Sequence, residues 1–582
     1  MLIYKLIRRQ IILPFTRPRR IATAVAALFL GGTALGQMPH EVLLLVNKRS
    51  QDSLKVANTY LALREIPRRN VVYLDIPESA YGGDATVTPK QFADLIWEPA
   101  NAVAAQRGID GQILAWVYSV DFPIRVKTDA SDRRQMSVGG LTFMRNQIPG
   151  LDLVEEGKYL SKLFAGPNAR ITLNLNAMSL GMQKKGLGED ATVPPEAAWL
   201  QRGLGERMPL PSMMLGYTGE KGNDVQTVID CLARGKQSDF RGNRGGIHFV
   251  MSDDVRSKCR EYQFYPAVNE LKAKGVAANV ATNFPAGAEN VMGILMGAET
   301  VDPSQIKSFW PGAMAEHLTS WSAEFQKRQS KLTDWIAAGA TGSAGAVVEP
   351  YSNPNKFPSA RFFVHYASGC SMLESFYQSI ACPLQGLLLG DPLAKPYAVP
   401  LSVNVLGADS MKNDFTYMAT AACRVPNVQF LYSFLLDGKE IREVSEDNSV
   451  HLRLLKLSDG YHELRAVARI KHLVEFSASY DKAIMVNRMG RSVTILPQIS
   501  RLAKHEHGIK VQVGGPQMPK KVRLVSGELV LDERIYDPEA ELVLDERMIG
   551  EGPNRVRAVA VYEDGMEVSS PPASLGISFA AE

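Results

Sequence analysis

His317 and Ser320 are the residues whose types and spacing most directly suggest catalysis. They lie in the segment PGAMAEHLTSW, where Pro311 suits the first turn of a helix. The segment therefore predicts a helix with His317 and Ser320 three residues apart on one face. A His beside a Ser forms a base and nucleophile pair when a third group orients the imidazole. Alternatively, His317 is a core histidine, and Thr319 and Ser320 bond back to carbonyls at the helix end.

Two carboxylates, Glu349 and Asp391, form the second candidate site. The runs GAVVEP and GLLLGDP each predict a strand buried on both faces that stops at an acid followed by Pro. We expect the two strands to lie side by side with their acids at one edge of the sheet, where ligand sites of α/β proteins occur. Burial would raise the pKa of both carboxyls, which could act as acid and base or hold a cation. The alternative is that each acid caps nearby backbone amides.

Metal and nucleotide sites are not predicted, and no cofactor is expected. His248 lies in an apolar run and His365 in RFFVHYASG, and neither has HxH or HExxH spacing, so no structural zinc is expected. The glycines of GATGSAGAVV precede a strand and lack GK[ST], unlike a phosphate loop. Five scattered cysteines give no disulfide framework. Cys370 and Cys382 either form one disulfide or are small buried hydrophobes.

These candidates need a scaffold, and residues 41–400 indicate an α/β unit. Apolar strands such as EVLLLVN, NVVYLDI and GQILAWVYS alternate with segments of helical spacing, which predicts a mostly parallel sheet flanked by helices. An irregular stretch interrupts this alternation, so the unit is predicted to form one body or two lobes, at about 41–135 and 200–400.

From about Leu401 the pattern changes to short alternating strands bounded by Asp-Gly turns, which is typical of β-sandwiches. GYHELRAVA at 460–468 returns as GPNRVRAVA at 552–560, about one immunoglobulin-like module later. We therefore predict two tandem sandwiches, at 401–496 and 497–582, that cover, space or position the α/β unit.

The first 36 residues predict export. Six basic residues without an acid precede an apolar run that ends in Ala34-Leu35-Gly36, as in a cleaved signal peptide. An uncleaved anchor is the alternative, but the run is short and interrupted by glycines. Removing these six from 65 basic residues leaves 59 against 61 acidic ones, so a net charge of +4 becomes −2. The mature chain is thus expected to lie in the periplasm, at the surface or outside the cell, without a membrane span, and no nucleic-acid partner is expected.

WPGAMAEHLTS, GATGSAGAVVEPY and LLLGDPL resemble segments of an uncharacterised family of exported bacterial proteins, as do ANTYLALREIPRRNVVYLDIP and LAWVYSVDFPIRV. The resemblance spans most of residues 41–400. It implies export but no particular activity.

The order of elements is also distantly similar to gingipain-type cysteine peptidases, which have a caspase-like α/β fold followed by an immunoglobulin-like domain. That resemblance implies a His-Gly at one strand end, a Cys at the next, and a later Gly-Asp-Pro. Gly390, Asp391 and Pro392 match the last motif, but Met296-Gly297 stands at the His-Gly position and no Cys lies near Ser320. A thiolate mechanism is therefore not expected.

The function expected from these features is binding of an extracytoplasmic polymer or protein partner by a non-peptidase with a caspase-like fold. One alternative is a hydrolase of peptidase or esterase type, but not a cysteine enzyme, that uses Ser320 with His317, or the acids Glu349 and Asp391. Another is a structural component of the envelope or matrix.

Overall fold

The computed structural model describes residues 38–161, 163–164, 209–242, 244–470 and 474–577, and the backbone of Ala34 and Leu35. Apart from those two residues, the predicted signal peptide lies outside the described residues. Ala34–Leu35 form a short strand, β1, which pairs in parallel with Val474 and Glu475.

The α/β unit contains thirteen of the described strands. They are β2 (Val42–Asn47), β3 (Val71–Leu74), β4 (Thr86–Val87), β5 (Ala115–Tyr118), β6 (Arg125–Val126), β7 (Met136–Ser137), β8 (Ser212–Met214), β9 (Gly246–Val250), β10 (Ala278–Ala281), β11 (Val291–Gly297), β12 (Phe309–Leu318), β13 (Gly342–Ala346) and β14 (Gly386–Gly390).

Its described α-helices are α1 (Gln51–Arg64), α2 (Glu78–Tyr81), α3 (Pro89–Phe92), α4 (Glu98–Gln106), α5 (Val138–Phe143), α6 (Leu151–Glu155), α7 (Val225–Ser238), α8 (Val255–Lys258), α9 (Phe264–Ala273), α10 (Leu332–Ala337), α11 (Arg361–Ala367) and α12 (Met372–Ser379). A π-helical turn, Ala93–Trp97, joins α3 to α4.

Ten strands form one sheet in the order β10-β9-β11-β12-β13-β14-β8-β5-β2-β3. Every neighbouring pair is parallel except β13 and β14, which are antiparallel. The sheet therefore consists of two parallel blocks that run in opposite directions, one of β9 to β13 and the other of β2, β3, β5, β8 and β14. This confirms the predicted α/β class with a mostly parallel sheet.

Burial on both faces explains why the central strands read as unbroken apolar runs. In β2 every residue is buried, and alternate side chains enter different cores. Val42, Leu44 and Val46 pack with α1 and α7, whereas Leu43 and Leu45 pack with the core on the other face. Helix α1 begins where the Ser50 hydroxyl accepts the backbone N–H of Ser53.

After residue 400 the chain is rich in antiparallel strands. They are β15 (Leu401–Leu406), β16 (Ser410–Met411), β17 (Phe415–Cys423), β18 (Phe430–Leu436), β19 (Lys439–Ser445), β20 (Ser449–Leu452), β21 (Gly460–Ile470), β22 (Val474–Val486), β23 (Ser492–Ala503), β24 (Glu506–Gly514), β25 (Lys521–Ser526), β26 (Leu529–Ile535), β27 (Glu541–Asp545), β28 (Gly552–Val561), β29 (Glu567–Ser569) and β30 (Ala573–Ile577), with helix α13 (Glu546–Ile549) after β27.

These strands enclose two separate apolar cores, one for each module. In the first module the sheet β15-β17-β20 faces β18, β19, β21 and β22, and in the second the sheet β23-β24-β27 faces β25, β26, β28 and β30. The predicted border at 496/497 falls inside β23, so the two cores divide at residues 487–491 instead. One pairing, between Gly460 and Ser569, joins the larger sheets of both modules.

The sequence repeat is also a repeat of structure. Its copies form β21 and β28, which both begin at a glycine with φ of 101°. Leu464 and Ala466 enter the first core, and the matching Val556 and Ala558 enter the second. Each copy is therefore a strand with one face in a sandwich core and the other face outward.

Both modules pack against the α/β unit. The Asn58 amide on α1 donates to the carbonyls of Ile549 (2.6 Å) and Glu551 (2.9 Å) in the second module. Arg469 of the first module donates to Glu41 at 3.0 Å, just before β2. No helix in the described part of the chain is long and apolar enough to cross a membrane.

Candidate functional site

The segment with His317 and Ser320 is a strand, β12, and not the predicted helix. It lies between the parallel strands β11 and β13, and Gly312 has a φ of 89° that interrupts helical geometry. Residues three apart on a strand point to opposite faces, so His317 and Ser320 would not share a face even if the strand continued. In fact β12 ends at Leu318, and Ser320 is half-buried in the turn that follows.

His317 is fully buried, and its Nδ1 accepts the indole N–H of Trp335 at 2.9 Å. Burial lowers the pKa of His317 to about 3, so the ring is neutral at physiological pH. No hydrogen bond joins it to Ser320 among the described residues. These contacts fit the core-histidine alternative better than the base and nucleophile pair.

The edge where β11 and β12 end together is packed by α8 and the residues after it. A methyl group at Gly297 would lie 2.1 Å from the carbonyl carbon of Arg256. Arg260 donates to Glu316 at 2.7 Å and also to the carbonyl oxygen of Met296. Sequence analysis missed this buried ion pair, because an Arg and a Glu 56 residues apart carry no local signal.

Glu349 and Asp391 lie at opposite edges of the sheet, which corrects the prediction of a common edge. Strands β13 and β14 are neighbours as expected, but Gly342 pairs with Gly390 and Ala346 with Gly386. Their carboxyl ends therefore point in opposite directions. Glu349 is half-buried and accepts the backbone N–H of Tyr351 at 3.0 Å within a turn.

Asp391 belongs to a buried ion cluster that ties β14 to α1. Arg64 donates through Nε at 3.0 Å and also through Nη2, and the Tyr60 hydroxyl donates at 3.2 Å. The same guanidinium pairs with Asp239. Burial raises the pKa of Asp391, while Arg64 opposes the shift. With its oxygens held in this way and no exposure to solvent, Asp391 fits a structural role.

The remaining sequence candidates are dispersed. His248 on β9 is half-buried and His365 on α11 is fully buried, and burial lowers the pKa of both. No disulfide joins Cys370 to Cys382, and burial raises the pKa of the Cys382 thiol to about 11. In the part of the chain that the structure describes, no group of three His, Cys, Asp or Glu side chains could hold a metal.

A cavity of about 640 Å³ lies where the α/β unit meets both sandwiches, and we call it the three-domain cavity. Its walls come from the end of α1 and the following turn (61–69), from β21 and β22 of the first module, and from β28 and β30 of the second. This volume is within the range of sites that bind small molecules or the end of an oligomer.

The wall of the three-domain cavity is rich in charge. Five arginines and five carboxylates line it: Arg68, Arg69, Arg465, Arg555, Arg557, Glu65, Asp437, Glu463, Asp481 and Glu528. Arg465 donates through two nitrogens to Asp481, both at 2.6 Å, and Asp437 accepts His462 Nδ1 at 2.7 Å. Burial and the Asp481 charge raise the pKa of Glu463.

The sequence repeat builds two of these walls. Outward positions of β21 supply Tyr461, Glu463 and Arg465, and the matching positions of β28 supply Pro553, Arg555 and Arg557. Alternation along the repeated strands identifies these positions as outward-facing. Sequence analysis missed the cavity because nothing in the repeat shows that the two outward faces share one space with α1.

Comparisons with known proteins add no function. No protein-family model matches the chain, so membership of an uncharacterised exported family stays a prediction. No curated protein matches it either.

Solved structures give low-level matches. The complex of Porphyromonas gingivalis RgpB pro- and mature domains is 8% identical, covers 77% of this chain and 100% of its own, and has a TM-score of 0.40. A protease is 9% identical over 77% of this chain and 98% of its own, with a TM-score of 0.35. Fibronectin(III)-like modules of Clostridium thermocellum CbhA are 15% identical over 30% of this chain and 91% of their own, with a TM-score of 0.13. Because these scores are low, the fold assignment depends on the sheet topology.

Proposed function

We propose that the protein is exported and acts as a binding protein for an extracytoplasmic polymer or protein partner, and that it is not a peptidase. The ligand enters the three-domain cavity. The observation that carries this proposal is a large, charge-lined cavity whose walls come from all three units.

The contacts of the catalytic candidates support binding over hydrolysis. A general base needs a lone pair within reach of the nucleophile and a pKa near the working pH. The Nδ1 lone pair of His317 is used by Trp335, and its pKa of about 3 is too low for a base at neutral pH. In the resemblance to gingipains, Met296-Gly297 stands where those peptidases have the catalytic His-Gly. The backbone of Arg256 fills the space beside Gly297 at this strand end.

In this proposal the two sandwiches form part of the binding site. Each contributes a charged strand face to the cavity, and both are anchored to the α/β unit by hydrogen bonds at Asn58 and Glu41. Walls held in this way are preorganised, which lowers the conformational cost of binding.

Filling the cavity tests the proposal. Gly576 lines the cavity, and a Cβ atom there meets no atom within 4 Å, so the backbone can carry the side chain of Gly576→Trp into the space without a clash at its point of attachment. Gly111→Trp is the matched control, since Gly111 is equally open but lies outside the cavity. The mature chain and both variants are applied to arrays of surface polysaccharides and peptides. We expect Gly576→Trp to lose binding and Gly111→Trp to retain it.

Hydrolysis is assayed in parallel with peptide and ester libraries. We expect no turnover that depends on Ser320, because no hydrogen bond joins its hydroxyl to a base among the described residues and the Nδ1 of His317 accepts Trp335 instead. Turnover by the natural chain that disappears in Ser320→Ala would refute the binding proposal in favour of the hydrolase. Export is checked by cell fractionation and by the mass of the mature chain, which should begin at Gln37.

A further inference from the structure

The three-domain cavity holds three guanidinium groups that have no carboxylate partner among the described residues. They belong to Arg68, Arg555 and Arg557, which form none of the ion pairs of the cavity wall. The other two arginines are paired, Arg69 with Glu528 at 3.7 Å and Arg465 with Asp481 at 2.6 Å. Asp437 is likewise paired with His462. The five arginines and five carboxylates of the lining balance overall, so the positive charge is concentrated locally at Arg68, Arg555 and Arg557, which form no ion pair within the described part of the chain.

Two further observations indicate that this wall is suited to an anionic ligand. Burial and the positive charge of Arg555 both lower the pKa of Arg68, so the two guanidiniums are close enough to repel each other. In addition, Nη1 of Arg68 and Nη1 of Arg465 are buried nitrogens without a hydrogen-bond acceptor. A buried donor without an acceptor is costly, and an anionic ligand would relieve both the repulsion and the unmet hydrogen bonds.

The cavity wall also offers an acceptor. Glu463 lies on β21, and its charge interacts with that of Arg555 on β28, a strand of the same sheet. The Tyr461 hydroxyl donates to Glu463 at 3.4 Å, a long hydrogen bond that leaves carboxylate lone pairs available. Hydroxyl or N–H groups of a ligand could therefore bind Glu463 while an anionic group faces the arginines.

We propose that the three-domain cavity binds its ligand through a carboxylate group, which Arg555 and Arg557 hold while Glu463 accepts ligand hydroxyl or N–H groups. Planar guanidiniums recognise carboxylates through two parallel hydrogen bonds. This inference rests on the proposed binding function and adds the chemical class of the ligand. The carboxylate belongs either to an acidic sugar or to an acidic peptide residue, two sources of one chemistry.

Calorimetric titration of the mature chain tests this inference with three probes: trigalacturonic acid, triglutamate and the neutral trisaccharide maltotriose. We expect at least one acidic probe to bind and maltotriose to bind more than tenfold more weakly. Arg555→Gln and Arg557→Gln should each lower the affinity for the acidic probe about tenfold, since each removes a charge-assisted hydrogen bond. Arg424→Gln, at an exposed arginine of the first module outside the cavity, is the control and should leave affinity unchanged. The acidic probe with the higher affinity identifies the source of the carboxylate.

Raising the salt concentration should weaken binding of the acidic probe and leave the order of affinities of the three variants unchanged. Equal binding of maltotriose and the acidic probes, with both cavity variants unchanged, would overturn the carboxylate inference. Binding of neither acidic probe would also overturn it. The proposed binding function would fail separately, if Gly576→Trp and the natural chain showed the same array profile.

Discussion

The protonation of His317 offers a quantitative test of how this region of the sheet is built. In the folded protein the ring is buried, accepts Trp335 and has a pKa of about 3, against 6.5 when exposed. A histidine with a lowered folded pKa stabilises the protein above its unfolded pKa, and this stability is lost as pH falls. The loss begins near pH 6.5 and continues down to about 3, because protons bind only the unfolded chain in that window.

The magnitude follows from the two pKa values. At about pH 5 the unfolded imidazole is almost fully protonated and the folded one is neutral, so the natural chain loses about 2 kcal/mol relative to about pH 8. His317→Gln removes this term while keeping an acceptor for the Trp335 indole. The variant should therefore be less stable at about pH 8, and its stability should fall less on acidification, by about 2 kcal/mol.

Tryptophan fluorescence during urea unfolding is suited to this measurement. All six tryptophans lie between residues 97 and 335, so the signal reports the α/β unit and not the sandwiches. His451→Gln, at an exposed histidine of the first module, is the control and should change nothing in this signal. If the free energy of unfolding depends on pH in the same way in the natural chain and in His317→Gln, the burial argument is wrong. His317 would then be accessible to solvent and able to act as a base.

Three further substitutions test other parts of the structure. Asp391→Asn should lower the free energy of unfolding by about 3 kcal/mol or more, because it removes the charge of a buried ion-pair partner. Asp253→Asn, at an exposed carboxylate, is the control and should have a much smaller effect, and equal effects would contradict a structural Gly-Asp-Pro. Gly297→Ala should destabilise by about 1 to 3 kcal/mol in thermal unfolding, since its methyl group overlaps the Arg256 backbone, and Gly111→Ala should not. His462→Asn should remove a stabilisation that the raised pKa of His462 and the lowered pKa of Asp437 give the first module between about pH 4 and 6.5. That stabilisation disappears as pH rises through the pKa of His462 or falls through the pKa of Asp437. If the melting temperatures of the natural chain and the variant, followed by circular dichroism, change with pH in the same way, the prediction is wrong.

The α/β class was predictable because its signal is local and repeated. Apolar runs such as VLLLVN must be buried on both faces, and they alternate with segments that can cover a sheet. The sandwiches were predictable for a similar reason, since alternation and Asp-Gly turns lie within a few residues of each other. The border at 496/497 was misplaced because a continuous alternating strand, β23, runs through it.

The error at His317 has a specific cause. A strand buried on both faces loses its two-residue alternation, so periodicity cannot separate it from a short apolar helix. Pro311 then favoured the helix, although proline is also tolerated at an irregularity of a strand, such as the register shift between Phe309 and Met314 in β12. The neighbouring strands β11 and β13, far away in sequence, decide the outcome.

Strand direction was the second limit. The connection from Ala346 to Gly386 is long and carries α11 and α12, which is typical of a crossover between parallel strands, yet β13 and β14 are antiparallel. The positions of Glu349 and Asp391 relative to each other depend on that direction alone. The three-domain cavity could not be predicted at all, since Arg68 and Arg555 meet there across nearly five hundred residues.

The pairing of Gly460 with Ser569 links the larger sheets of the two sandwiches directly. A side chain at Gly460 would lie 2.4 Å from the Ser569 carbonyl oxygen, so only glycine lets the hydrogen-bonded ladder pass from one module to the next. A ligand that enters the cavity therefore meets two modules that are linked to each other at Gly460 and tied to the α/β unit at Asn58 and Glu41. A displacement of either module would strain all of these connections together.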